Sequence, residues 1–165
     1  VLGMGLFDGN CAYYVPKEKI YDVLNYINDK EKYTYDLKKH YVTMKKQGLT
    51  LKNVSFDSSV AAYLLNYNVK DDIAYLANQF GYDVSFYEVI SKAKVLDEDT
   101  IKKLVIDKAK FIFETKDELL SEMQKEDCVY LFDEIEMPLS IVLGEMEHVG
   151  IRVDKSVLEL SLIHI

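Results

Sequence analysis

The chain has 165 residues, with 20 basic and 28 acidic side chains, a net charge of −8, 49% hydrophobic and 29% charged residues, a composition that excludes disordered, collagen-like and low-complexity chains. Its longest stretch without a charge, Ser58 to Val69, is 12 residues, short of the roughly 18 apolar residues a membrane-spanning helix requires. The negative balance opposes adsorption to a polyanion, and the two distant cysteines, Cys11 and Cys128, suggest neither a disulfide scaffold nor a zinc site and fit a reducing cytoplasm.

Val1 to Phe7 and Cys11 to Val15 are apolar runs separated by Asp8-Gly9-Asn10, which predicts a β-hairpin closed off by Pro16. Ile20, Val23, Leu24 and Ile27 follow at helical spacing. After a brief strand at Tyr33 to Tyr35, a helix is expected over Leu37 to Gln47, ending at Gly48 by a glycine C-cap. Leu49 to Phe56 alternates imperfectly and reads as a strand. Asp57 behind it is placed to cap a helix over Ser58 to Leu65. The order β-β-α-β-α-β-α points to an α/β layer with a mixed sheet flanked by helices.

Asp71-Asp72 caps a further helix through Ile73, Leu76, Ala77 and Phe80, which Gly81 ends. From Asp97 the pattern is helical only. Ile101, Val105, Ile112, Leu119 and Met123 share one face of a long helix. Phe132, Ile135, Leu139, Val142, Met146 and Val149 step by three and four, which reads as a buried seam. Pro138 lies inside it and predicts a kink near Glu134 to Pro138. Gly150 stops the helix, and Asp154 is a candidate cap for a last one. The chain starts on Val, so further sequence is expected upstream; the end reads as cut too, and Leu162 to Ile165 lack a helical polar face and read as foreign to the native sequence.

Candidate chemistry is sparse. Two-metal phosphodiester cleavage needs carboxylates converging on cations about 3.5 to 4 Å apart. Asp8 is placed as a turn residue and Asp57 as a helix cap. Glu145-Met146-Glu147-His148 contains Glu-x-x-His, but a helical di-metal site needs a second copy, so its polar members read as a solvated flank. His40 sits among Lys38, Lys39, Lys45 and Lys46, a face that could meet phosphates and more often is simply solvated. Residues 1–70 carry 10 Lys and 7 acids, net +3, while residues 71–165 are net −11, so phosphate contacts belong more naturally to the first half. Most of the thirteen tyrosines read as core packing. No glycine-rich phosphate loop and no Ser/His/Asp constellation can be assembled.

Asp36-Leu37-Lys38-Lys39-His40, Gly48-Leu49, Val54-Ser55-Phe56-Asp57-Ser58, Ala62-Tyr63-Leu64-Leu65-Asn66 and Phe132-x2-Ile135-Glu136-Met137-Pro138-Leu139 occur in that order. With this set the chain resembles bacterial DNA polymerase I, family A. The likeness closes with Leu143-x2-Met146-Glu147-x2-Gly150-Ile151-x-Val153-Asp154, which is similar to the opening segment of the polymerase domain. The resemblance implies a 3′-5′ exonuclease-like domain of ribonuclease-H-like fold over residues 1–125, with residues 126–165 beginning the polymerase thumb.

Proofreading members place metal-binding acids in three motifs. The first, Asp-x-Glu, would precede Val1; the second has an Asp where this chain has His40; the third, Tyr-x3-Asp, aligns with Lys108 and Ile112. His40 is a neutral ligand, Ile112 has no lone pair and Lys108 adds a positive charge, so the expectation is a degenerate site with no catalytic residue and no bound metal or cofactor. Mg²⁺, DNA primer-template and dNTPs are expected only through the palm of the parent polymerase, a monomeric cytoplasmic enzyme of DNA replication and repair without a membrane partner. Two alternatives stand beside this: an active exonuclease of the ribonuclease D type, with Asp36 and Glu114 acting in a shifted register, and a non-catalytic module whose acidic second half docks a protein.

Overall fold

A computed structural model describes residues 3–92 and 97–152; the start of the hairpin at Val1, the cap at Asp154 and the closing Leu162 to Ile165 lie outside the described residues. Strands β1 (Gly3–Phe7) and β2 (Ala12–Pro16) pair antiparallel, with Phe7 opposite Ala12. Asp8 makes the turn: its Oδ1 accepts from the amides of Asn10 at 2.9 Å and Cys11 at 2.7 Å, while Gly9 takes φ +92°. A 3-10 turn, Lys17–Lys19, leads into α1 (Ile20–Ile27), which buries Ile20 and Leu24. No glycine ends α1. Instead Lys32 Nζ donates to the carbonyls of Ile27 at 2.9 Å, Asn28 at 3.1 Å and Lys30 at 2.7 Å, a cation satisfying the free acceptors of a helix end.

Strand β3 (Lys32–Thr34), helix α2 (Leu37–Lys45) and strand β4 (Val54–Asp57) form a βαβ unit, the strands parallel with Thr34 opposite Asp57. β4 is shorter than the expected Leu49 to Phe56. Asn28 takes the backbone groups that a strand would use, its Nδ2 donating to Thr50 O and its Oδ1 accepting from Lys52 N, each at 2.9 Å. Asn53 then turns the chain at φ 53°. The α/β class and mixed strand directions are as expected, with the described strands in two ladders: β1 with β2, and β3 with β4.

Helix α3 (Ser58–Leu64) starts on Asp57, and α4 (Ala74–Gln79) on Asp72, whose Oδ1 accepts from Ala74 N at 3.1 Å. After α5 (Tyr87–Ser91) comes the 28-residue α6 (Glu98–Lys125), capped by Asp97. It buries Leu104, Phe111, Thr115, Leu119 and Met123. Of the face read from sequence only Leu119 and Met123 are fully buried; Ile101, Val105 and Ile112 are half-buried. The hairpin packs along the helix with its Gly5 against the Val105 backbone and its Gly9 against Phe113.

Helix α7 (Val129–Leu131), a π-helical turn (Phe132–Glu136) and α8 (Met137–Val149) run on without a break. Pro138 has no N–H to return to the carbonyl four residues back, and the expected kink takes the form of this widened turn just before it. The seam is the main correction. Phe132 is buried, but Ile135, Leu139, Val142, Met146 and Val149 are 46, 40, 54, 64 and 79% exposed. The buried residues are Phe132, Met137 and Gly144, because this helix is apolar on two faces and the described residues cover the less periodic one. The tyrosines need a similar correction. Tyr35 is buried, whereas Tyr13, Tyr21, Tyr26, Tyr63, Tyr75, Tyr87 and Tyr130 are exposed, their hydroxyls letting the rings sit at the surface. No described helix is long and apolar enough to cross a membrane.

Candidate functional site

The second-motif segment lies where β3 gives way to α2. Asp36, at φ 60° and ψ 64°, caps α2 by accepting from Lys39 N at 3.1 Å. Beneath it Asp57, 1% exposed, accepts from Asp36 N (3.0 Å), Ser59 N (2.8 Å) and Ser59 Oγ (2.7 Å) through Oδ1, and from Leu37 N (2.5 Å) through Oδ2. One carboxylate therefore holds the starts of two helices. His40, one turn into α2, shares a 2.7 Å hydrogen bond between Nδ1 and Thr34 Oγ1. Its side chain is exposed at the edge, yet protein packed around the ring pushes its pKa down from the ordinary value, more than Asp36 and Asp57 pull it up.

The third-motif positions lie on α6 and are spent elsewhere. Lys108 Nζ meets Asp72 Oδ1 at 2.7 Å, both side chains mostly buried, and Asp72 Oδ2 accepts from Tyr87 N at 2.7 Å. Lys108 thereby ties α6 to the starts of α4 and α5. Ile112 packs against the cluster that contains Tyr35, Leu76 and Phe111. Burial pushes the Asp72 pKa up, but the Lys108 ammonium and the amides of Tyr87 and Ala74 outweigh it and hold the carboxyl below its ordinary 3.8. A depressed folded-state pKa means stability that is present above the unfolded value and lost as the pH falls through the folded one. Urea unfolding from about pH 5 to about pH 2 should show the parent chain's advantage over Asp72→Asn shrinking below about pH 4; an advantage independent of pH would refute the pairing.

These positions do not suit a pair of hard cations. His40 offers ring nitrogens, one already bonded to Thr34, Ile112 offers no donor and Lys108 is itself a cation, whereas Mg²⁺ takes oxygen ligands. Among the described residues no group of three or more His, Cys, Asp or Glu is placed to hold a metal ion. Of the alternative acids, Asp36 is the α2 cap and Glu114 is exposed on α6.

The basic face of α2 and the Glu-x-x-His of α8 meet each other, which neither pattern announced. Glu145 accepts from the Tyr41 hydroxyl and pairs with Lys45, and Glu147 pairs with Lys38 at 3.2 Å. Lys45 first, and Tyr41 next, hold the Glu145 carboxyl below its usual value. His148 Nδ1 is buried without a partner. The flank read as solvated is thus a contact between elements a hundred residues apart, a distance at which local sequence carries no signal.

A family model described as "DNA polymerase I, ribonuclease H-like domain" matches residues 1–115. The chain belongs to this DNA polymerase I family. It is 33% identical to DNA polymerase I of Bacillus subtilis (strain 168), across 93% of this chain and 19% of that protein. DNA polymerase I of Bacillus caldotenax is 36% identical across 66% of this chain and 13% of its own length. The chain thus spans about a fifth or less of these relatives. The solved POL domain of Pol1 from M. smegmatis, in complex with DNA primer-template and dNTP, has the same fold: TM-score 0.75, 22% identity, 94% of this chain and 26% of that one covered. The ribonuclease H-like match ends within α6, and the DNA polymerase I likeness to the Bacillus subtilis protein reaches over nearly the whole chain.

Proposed function

We propose that this chain is part of a DNA-directed DNA polymerase acting in replication and repair, in which residues 1–125 are a non-proofreading exonuclease-like platform and residues 126–165 begin the polymerase domain. What carries the reading is the fate of three positions: His40 bonds to Thr34, Lys108 neutralises Asp72 and Ile112 joins the core. Each has been turned from chemistry to structure. The boundary near residue 125 is supported by the end of α6 at Lys125 and by Asp127 turning the chain at φ 53°. The exposed apolar stripe of α8 supports the second half, since so large an uncovered stripe marks a surface meant to be packed, here by the rest of the polymerase.

Mg²⁺, primer-template and dNTPs belong in this reading to the palm of the parent protein, which works as a monomer in the cytoplasm. The 165-residue chain, incubated with a 3′-labelled oligonucleotide and Mg²⁺, should neither shorten it nor extend a primed template, while the longer protein carrying it should extend. Shortening that Asp36→Ala with Glu114→Ala abolishes would replace the platform by an active exonuclease.

A further inference from the structure

Helix α2 carries Lys38, Lys39 and Lys45, and Lys46 is its C-cap. Positions 38, 41 and 45 step by three and four, so Lys38, Tyr41 and Lys45 form one stripe. That stripe faces α8. Gly144 lets the two helices come close: a Cβ added there would sit 2.9 Å from Tyr41 Cδ1. The approach carries Glu145 onto Lys45 and the Tyr41 hydroxyl, and Glu147 onto Lys38. Here the basic first part of the chain meets the acidic second part. The four paired side chains remain 34 to 48% exposed, and ion pairs so open to water are screened and easily exchanged.

We propose that the Lys38, Tyr41 and Lys45 stripe is a binding face for the phosphate backbone of single-stranded nucleic acid, which Glu145 and Glu147 keep covered, so that seating of α8 and docking of the strand exclude one another. A phosphate oxygen presents to lysine the charge that the carboxylate presents now. Tyr41, released from Glu145, offers a hydroxyl and a ring face between two cations, the combination on which unpaired bases settle. Exposed Lys39 and Lys46 lie on the next face around the helix and extend the positive field. By linkage, a strand held on α2 weakens the hold on α8 to the same degree. This goes beyond the polymerase reading, since it requires no nucleotide addition.

The test is fluorescence anisotropy of a labelled single-stranded oligonucleotide with four proteins. These are the 165-residue chain, the Glu145→Gln/Glu147→Gln variant, the same variant with Lys38→Gln/Lys45→Gln, and the charge control Glu98→Gln/Asp99→Asn. The glutamate variant should bind more tightly, with a salt slope steeper by about 1.4 for two added phosphates, so that its advantage shrinks about sevenfold between about 50 and about 200 mM salt. Replacing the lysines should erase the gain, and the control should not reproduce it. No gain at low salt, a gain that survives loss of the lysines, or an equal gain in the control would each overturn the proposal. Should the glutamate variant melt, hydrogen exchange on the unsubstituted chain decides: α8 amides must exchange faster with oligonucleotide present, and unchanged exchange overturns it. Any of these failures leaves the polymerase reading, tested by extension, untouched.

Discussion

Asp57→Ala should cost on the order of 4 kcal/mol of stability, because each hydrogen bond to a charged group contributes about 1.5–3 kcal/mol and the orphaned donors add their own desolvation. Four donors lose this carboxylate at once: Leu37 N, Ser59 N, Ser59 Oγ and Asp36 N, the last of which keeps only Ser59 Oγ at 3.1 Å. At 1% exposure, water does not replace the carboxylate without opening the site. Asp57→Asn keeps one acceptor oxygen and should lose about half as much. Urea titration followed by circular dichroism measures both. The two variants falling within about 1 kcal/mol of the parent would show that Asp57 is a minor cap. The same geometry decides what Asp57 does: three donors crowd one oxygen and a fourth takes the other, so its work is to fix the starts of α2 and α3. It thereby fixes His40 beside Thr34 at the start of α2.

How much of this was legible in the sequence depends on the range of the interaction. The hairpin at Asp8-Gly9, the α1 face, the Gly48 stop and the Asp57 cap are set by neighbours within a few residues, and each is where the pattern placed it. The bounds of α1 are also as read, but the way its last carbonyls are satisfied was not legible, because Lys32 acts from beyond the helix with no motif to mark it. The strand expected at Leu49 failed for a similar reason, since Asn28 reaches it from another element. The seam of α8 shows a different limit. Periodicity detects an apolar face but not what covers it, and a helix apolar on both sides needs two partners, of which the described residues supply one. At the candidate site, the residue types at 40, 108 and 112 could be read directly, whereas their contacts with Thr34, Asp72 and the cluster around Phe111 required the fold.

Gly5→Ala should be comparably damaging, although it adds a single methyl group. A Cβ built on Gly5 would stand 2.2 Å from the carbonyl oxygen of Val105 and 2.5 Å from its carbon. Both atoms belong to helix backbone. Side chains yield to such a clash by rotating, but α6 yields only by moving as a body, and overpacking of this kind costs about 3 kcal/mol or more. The hairpin would have to lift, taking Phe7 from its edge-to-face contact with Phe113 at 5.3 Å and uncovering the side of α6 that carries Val105. Gly48→Ala is the control: it meets nothing within 4 Å, and only its φ of +74° opposes the change, so about 1 kcal/mol is expected. Thermal unfolding of the two variants should therefore separate widely, with Gly5→Ala far less stable. Equal losses would mean that the hairpin rides loosely on α6.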